Sequence, residues 1–161
     1  MEPATTLWRI AADTPDYEAT DLTGAGAERS GGRWNRAGTP LLYASTSRAL
    51  ACLETLVHLA RHPLPLNRCL VAITVPASAW RDAVEFDAAL HVGWDAEPAG
   101  RVSLEWARAW VAGATTLLAR VPSIVVPEEF NVLVNPAHAG IRDVRAARHR
   151  RWNYDPRFGR R

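Results

Sequence analysis

The chain has 161 residues, 48% of them hydrophobic, and a formal net charge of +2, which fits one globular domain around a single core and excludes a disordered chain. It contains no run of about 18 apolar residues and no basic-then-apolar leader, so a soluble cytoplasmic protein is expected. All nineteen basic residues are arginine, which excludes a lysine Schiff base and a Walker-type phosphate loop.

Leu7-Trp8-Arg9-Ile10 reads as a first strand, with Arg9 on the same face as Leu7 and Ala11. An inward arginine needs an anionic ligand or an acidic partner, for which Asp13 and Glu18 are the nearby choices. Residues 13–29, rich in Asp, Thr, Gly and Ala, read as a loop with room for one helical turn. Next comes Gly31-Gly32-Arg33-Trp34-Asn35, where two glycines permit close backbone approach and Arg33 offers a fork of donors suited to phosphate or carboxylate. The apolar run Leu41-Leu42-Tyr43-Ala44 leads into a helix capped by Ser45 or Thr46, whose stripe Leu50, Leu53, Val57 and Ala60 is expected to face the core. Glu54 lies beside that stripe, either lining a pocket for a cationic or cation-forming substrate or pairing with His58 on the surface, a contact worth about 0.3–0.5 kcal/mol.

The helix is expected to run to about Arg61, stopped by Pro63 and Pro65. Arg68–Val75 is the clearest strand, expected centrally in a sheet. Residues 80–100 form a long excursion without steady period, of the kind that forms or covers a site. Ser103–Val111 returns to helical spacing, and Leu117–Val126 and Phe130–Val134 read as two strands joined through Pro127-Glu128-Glu129. Ser123, Asn131 and Asn135 stand where polar side chains commonly enter a cleft. Ile141–Arg151 reads as a basic helix, followed by an ordered tail through Phe158. Cys52 and Cys69 lack a CxxC spacing and read as small buried side chains, and most of the seven tryptophans as core or pocket walls.

Three other chemistries find little support. His58 and His62 are spaced i, i+4, but no HExxH glutamate or third ligand accompanies them. Arg142, Arg145, Arg148, Arg150 and Arg151 could meet phosphates, yet such runs are usually a solvated face, and docking an acidic protein patch suits them better. Ser123 lacks the GxSxG elbow of a nucleophile.

Arg33 within Gly-Gly-Arg-Trp-Asn, Glu54 in the helix after Leu-Tyr-Ala-Ser, and Ser123 ahead of Asn131-Val-Leu-Val-Asn-Pro136 together resemble the RES domain family, named for its arginine, glutamate and serine. The resemblance runs from Leu7 to Phe158 and implies one such domain over residues 1–161. It implies an α/β (α+β) fold of ADP-ribosyltransferase type, in which two small twisted sheets with flanking helices enclose a cleft for NAD. It further implies the toxin of a bacterial type II toxin-antitoxin pair, whose Xre-type helix-turn-helix antitoxin blocks the active site. DNA would be met only through that antitoxin, and no membrane is involved.

The implied activity is depletion of NAD, a substrate rather than a cofactor, by breaking the nicotinamide–ribose bond, with water or phosphate as acceptor. The alternative is ADP-ribosylation of a protein. Breaking that bond leaves a ribosyl cation, which a carboxylate such as Glu54 can stabilise, and nicotinamide leaves without a strong general acid. On the resemblance, Arg33 grips the pyrophosphate, Tyr43 and Trp34 stack on the rings, and Ser123 orients the substrate, with Arg9 and Asn35 as further NAD contacts.

Overall fold

The computed structural model describes residues 3–59 and 62–159. Strand β1 (Thr5–Ala12) outruns its apolar centre because it pairs antiparallel with β3 (Arg68–Val75) along its whole length, from Thr5 opposite Val75 to Ala12 opposite Arg68. The bounds of β3 match its apolar run rich in β-branched residues (Val71, Ile73, Thr74, Val75), which Pro76 terminates by withholding a ladder donor. With β2 (Leu42–Ser45), β4 (Val84–Glu85), β5 (Leu118–Pro122), β6 (Phe130–Val134) and β7 (Arg145–Trp152), the strands take the order β4-β5-β6-β2-β1-β3-β7. β3 is paired on both sides, yet its neighbour β7 is an edge strand, so it sits one place from the rim rather than at the centre.

The expected α/β fold is present, and its two small sheets are halves of one. Among the described residues β1 and β2 meet at a single registered pair, Trp8 opposite Ser45, whereas β2 and β6 share four and β1 and β3 share eight. One half is β4-β5-β6-β2, the other β1-β3-β7, and the seam between them is one residue pair wide.

Among the described residues four α-helices accompany the sheet: α1 (Ala25–Ser30), α2 (Arg48–Leu59), α3 (Ala77–Arg81) and α4 (Arg101–Gly113). The cap of α2 is Ser47, whose hydroxyl accepts the Leu50 N–H at 3.0 Å, and not Ser45, which ends β2, or Thr46, in the bend that follows. The face of α2 also differs from the expected stripe. Leu50 and Ala51 are buried, and Cys52, Leu56 and Leu59 pack with Ile10, Leu70 and Tyr154, while Leu53 and Val57 are 38% and 50% exposed. A helix turns about 100° per residue, so the side that carries Leu56 and Leu59 toward Ile10 of β1 and Leu70 of β3 turns Leu53 and Val57 away. Ala60 and Arg61, expected to continue this helix, lie outside the described residues.

The basic stretch expected as a helix over Ile141–Arg151 is instead a 3-10 turn (Ala139–Asp143) followed by β7. Arginine and alanine are good helix formers, but intrinsic propensity is small per residue, and pairing with β3, from Arg68 opposite Trp152 to Thr74 opposite Arg145, overrides it. Residues 123–126, expected to extend β5, form a turn.

Alternation along β2 sorts the sheet into two faces. Leu42 and Ala44 join Leu7, Val71, Ile73, Val132 and Val134 in one core. Tyr43 and Ser45 face the other way, where an aromatic cluster packs beneath α4 and a smaller one beneath α2. No helix among the described residues is long and apolar enough to cross a membrane.

Candidate active site

Ser45 and Asn131 are register partners on that second face, between its two packed clusters. The Ser45 hydroxyl donates to Asn131 Oδ1 at 2.8 Å, and Asn131 Nδ2 donates to Glu54 Oε1 at 2.7 Å. From the turn after β5, the Ser123 hydroxyl donates to the same Oε1 at 2.6 Å. Ser123 is wholly buried, and its oxygen accepts the Val125 and Val126 N–H groups at 3.1 and 3.0 Å, so its one proton is committed to Glu54. Glu54 is thus held by two neutral donors that both converge on Oε1, and no described residue donates to its Oε2. A half-buried carboxylate fixed in this way can stabilise a developing cation without moving to meet it.

The second group of expected residues surrounds Tyr43, two places along β2 from Ser45 and on the same face. The Tyr43 hydroxyl accepts the Trp34 N–H at 3.0 Å and donates to Asn35 Oδ1 at 2.7 Å. Burial pushes its pKa well above the ordinary phenol range, which keeps that donated proton in place. Asn35 in turn donates its amide to the carbonyls of Ala27 at 2.7 Å and Thr39 at 2.9 Å and is almost fully buried. Gly32 is required here, because a Cβ on it would lie 2.7 Å from the Tyr43 hydroxyl oxygen. Trp34 is 4% exposed, stacked on Trp94 and met edge-on by Phe86 and Trp106.

Arg33 points to the excursion foreseen over residues 80–100. Its Nη1 donates to the Trp94 and Ala96 carbonyls at 3.2 and 2.7 Å, and its Nη2 meets Glu97 Oε2 at 2.6 Å. The guanidinium side chain is 16% exposed, the Glu97 side chain 80%. Ser103, in the first turn of α4, holds the Arg33 backbone by donating to its carbonyl at 2.9 Å.

The structure therefore gathers Glu54 with Ser123, and Arg33, Trp34 and Asn35 with Tyr43, on one face of the sheet. Arg9 stands apart on the opposite face, where its Nη2 donates to the Ala19 and Asp21 carbonyls at 2.6 and 2.7 Å. Burial lowers its pKa to about 10, partly offset by the Asp21 carboxylate, and its Nε is buried without a partner among the described residues. The sequence places Ser45 at a helix cap and marks Asn131 only as a polar residue able to enter a cleft, with no role toward NAD. The available signal is alternation: Ser45 ends the strand whose Tyr43 is a site candidate and lies two residues along the same face, and Asn131 is its register partner near the start of β6.

Residues 6–155 match the family model described as RES domain. The chain is 54% identical over 155 residues, 96% of each sequence, to a protein of Sphingobium sp. named Prs ADP-ribosylating toxin. It is 37% identical over 134 residues, 82% of the chain and 85% of the relative, to Toxin Res of Pseudomonas putida. It is 34% identical over 120 residues, 74% of the chain and 76% of the relative, to Toxin Res of Photorhabdus laumondii.

Proposed function

Because the chain belongs to the RES domain family, we propose that it is a toxin that transfers ADP-ribose from NAD to a protein acceptor. The acceptor suggested by the name of the Sphingobium relative is a Prs protein. The observation that carries an NAD-cleaving role is Glu54, its Oε1 fixed by Ser123 and Asn131 and its Oε2 free of donors from the described residues. In this reading Oε2 faces the ribose as the nicotinamide bond breaks, stabilising the positive charge on the anomeric carbon or holding a ribose hydroxyl.

Arg33 binds the pyrophosphate. The Glu97 carboxylate on its Nη2 stands where a phosphate oxygen would bind, and NAD displaces it while the two carbonyl contacts keep the fork aimed. Tyr43 offers the edge of its ring to the ligand, and Trp34 and Asn35 build the turn beneath. The partner that restrains the toxin is an Xre-type antitoxin occupying this site.

Labelled NAD decides between acceptors. Incubation with a purified Prs protein is expected to label that protein and to release nicotinamide only when it is present. Equal nicotinamide release without any protein, with Prs unlabelled, would replace this reading with cleavage of free NAD by water or phosphate.

A further inference from the structure

The charge of this chain is unevenly placed. Residues 138–161 carry eight arginines against two aspartates, a net +6, while residues 1–137 carry eleven arginines against fifteen acidic residues, a net −4. The basic part centres on β7, the last strand of the sheet, paired with β3 on one side only. Arg145, Ala147, Arg148, His149, Arg150 and Arg151 are all exposed, so β7 is open on both faces as well as along its outer edge.

An edge strand presents unpaired N–H and C=O groups and is a template for another strand. Two guanidinium groups stay beside the strand: Arg145 donates to the carbonyls of Arg142 and Val144, just ahead of β7, and Arg150 to that of Arg151. Arg150 also lies over the Trp152 ring, 4.5 Å from its centre. Arg151 reaches the Leu66 carbonyl ahead of β3, and Arg148 pairs with Asp13. Arg145 and Arg150 therefore supply the positive charge beside this strand that no acidic side chain of the described residues neutralises. Charged edge residues usually serve to prevent pairing, and here they do so selectively: a second copy would set arginines against arginines, whereas an acidic strand would gain where it meets Arg145, Arg150 and Arg151.

We propose that the outer edge of β7 is a docking site for an extended acidic segment of a partner protein, which adds to the sheet as a further strand. Ladder hydrogen bonds would supply a part of the affinity indifferent to side chains, and the arginines would choose the partner. This surface is separate from the Glu54 site, so its test does not depend on the activity.

The probes are four-repeat peptides of Glu-Thr and Lys-Thr, the Glu-Thr peptide N-methylated at every residue, and a single-stranded oligonucleotide, each titrated against the full chain. The Glu-Thr peptide is expected to bind, to weaken about tenfold between about 50 and 300 mM salt, and to slow amide hydrogen exchange across residues 145–152. The N-methylated peptide keeps the charge but lacks ladder donors and is expected to bind at least about tenfold more weakly. Lys-Thr is expected not to bind, and Arg145→Glu with Arg150→Glu to exchange the preferences of the Glu-Thr and Lys-Thr peptides. Equal binding of the Glu-Thr peptide and its N-methylated form, or no exchange protection in β7 of the unaltered protein, overturns strand addition. Tighter binding of the oligonucleotide than of Glu-Thr would assign the edge to nucleic acid instead.

Discussion

Ser123 and Glu54, 69 positions apart in the chain, share a 2.6 Å hydrogen bond in which the hydroxyl donates. The same hydroxyl oxygen accepts the Val125 and Val126 N–H groups, so one buried side chain both closes a turn and aims a carboxylate. Ser123→Ala removes that acceptor from two backbone donors, at a cost of about 1–3 kcal/mol. We expect a lowered unfolding midpoint together with slower NAD turnover. Ser123→Thr, which retains the hydroxyl, should recover turnover more fully than stability.

Asn131→Ala takes the second donor from Glu54 Oε1 and the acceptor from Ser45. A hydrogen bond to a charged group contributes about 1.5–3 kcal/mol, so we expect kcat to fall by roughly ten- to a hundredfold. The KM for NAD should change little. A rise in KM at unchanged kcat would place Asn131 in substrate binding rather than in positioning Glu54.

Glu97→Gln weakens the ion pair that occupies Arg33 Nη2 while leaving the carbonyl contacts of Nη1 intact. If phosphate must displace Glu97, the variant should bind NAD a few fold more tightly, as measured by calorimetry with Glu54→Gln in the background to prevent turnover. Unchanged or weaker binding would show that Glu97 does not compete for the site. Arg33→Lys retains a charge but loses the planar fork, and should make residues 94–97 more susceptible to limited proteolysis.

Asp13 accepts two hydrogen bonds from Arg148, at 2.7 and 3.0 Å, which with the Ala19 N–H lower its pKa from 3.8 to about 2. A depressed pKa in the folded state contributes stability that is present above the ordinary value and lost as pH falls through the folded one. Asp13→Asn should therefore be less stable than the unaltered protein at neutral pH. That difference should shrink as pH drops from 3.8 to about 2, followed by thermal unfolding at each pH.

Gly32→Ala would force a Cβ to within 2.7 Å of the Tyr43 hydroxyl oxygen, with the Asn35 side chain also close at 3.2 Å. Overpacking of this kind costs about 1–3 kcal/mol. The midpoint of chemical unfolding should fall accordingly, and Tyr43→Phe in the same chain should restore part of the loss by making room.

The sequence makes β3 legible because Val71, Ile73, Thr74 and Val75 crowd an apolar run that ends at a proline, and α4 because Leu104, Ala107 and Trp110 recur at helical spacing. The excursion over residues 80–100 was foreseen as part of a site, and its carbonyls hold Arg33. Other features depend on long-range partners that no local pattern encodes. β7 has helical composition but pairs with β3, and the rotation of α2 was set by Tyr154 and Ile10 rather than by its own most apolar stripe. Within the site, spacing could mark Glu54 and Ser123 as polar groups near apolar runs, but it could not reveal that they touch. On the resemblance Trp34 and Asn35 are expected as NAD contacts, and the saturation of the Asn35 amide by nearby carbonyls, which no local pattern encodes, shows what it does in the fold.

The lone rung between Trp8 and Ser45 gives the molecule an uneven mechanical character. Each half-sheet is stitched firmly within itself, so an applied shear finds its easiest release along that line, where α2 lies across the join like a splint. Glu54 rides on the splint while both of its holders belong to one leaf. A partner that levers the leaves apart would therefore loosen the grip of α2 on the other leaf while leaving the carboxylate with its holders.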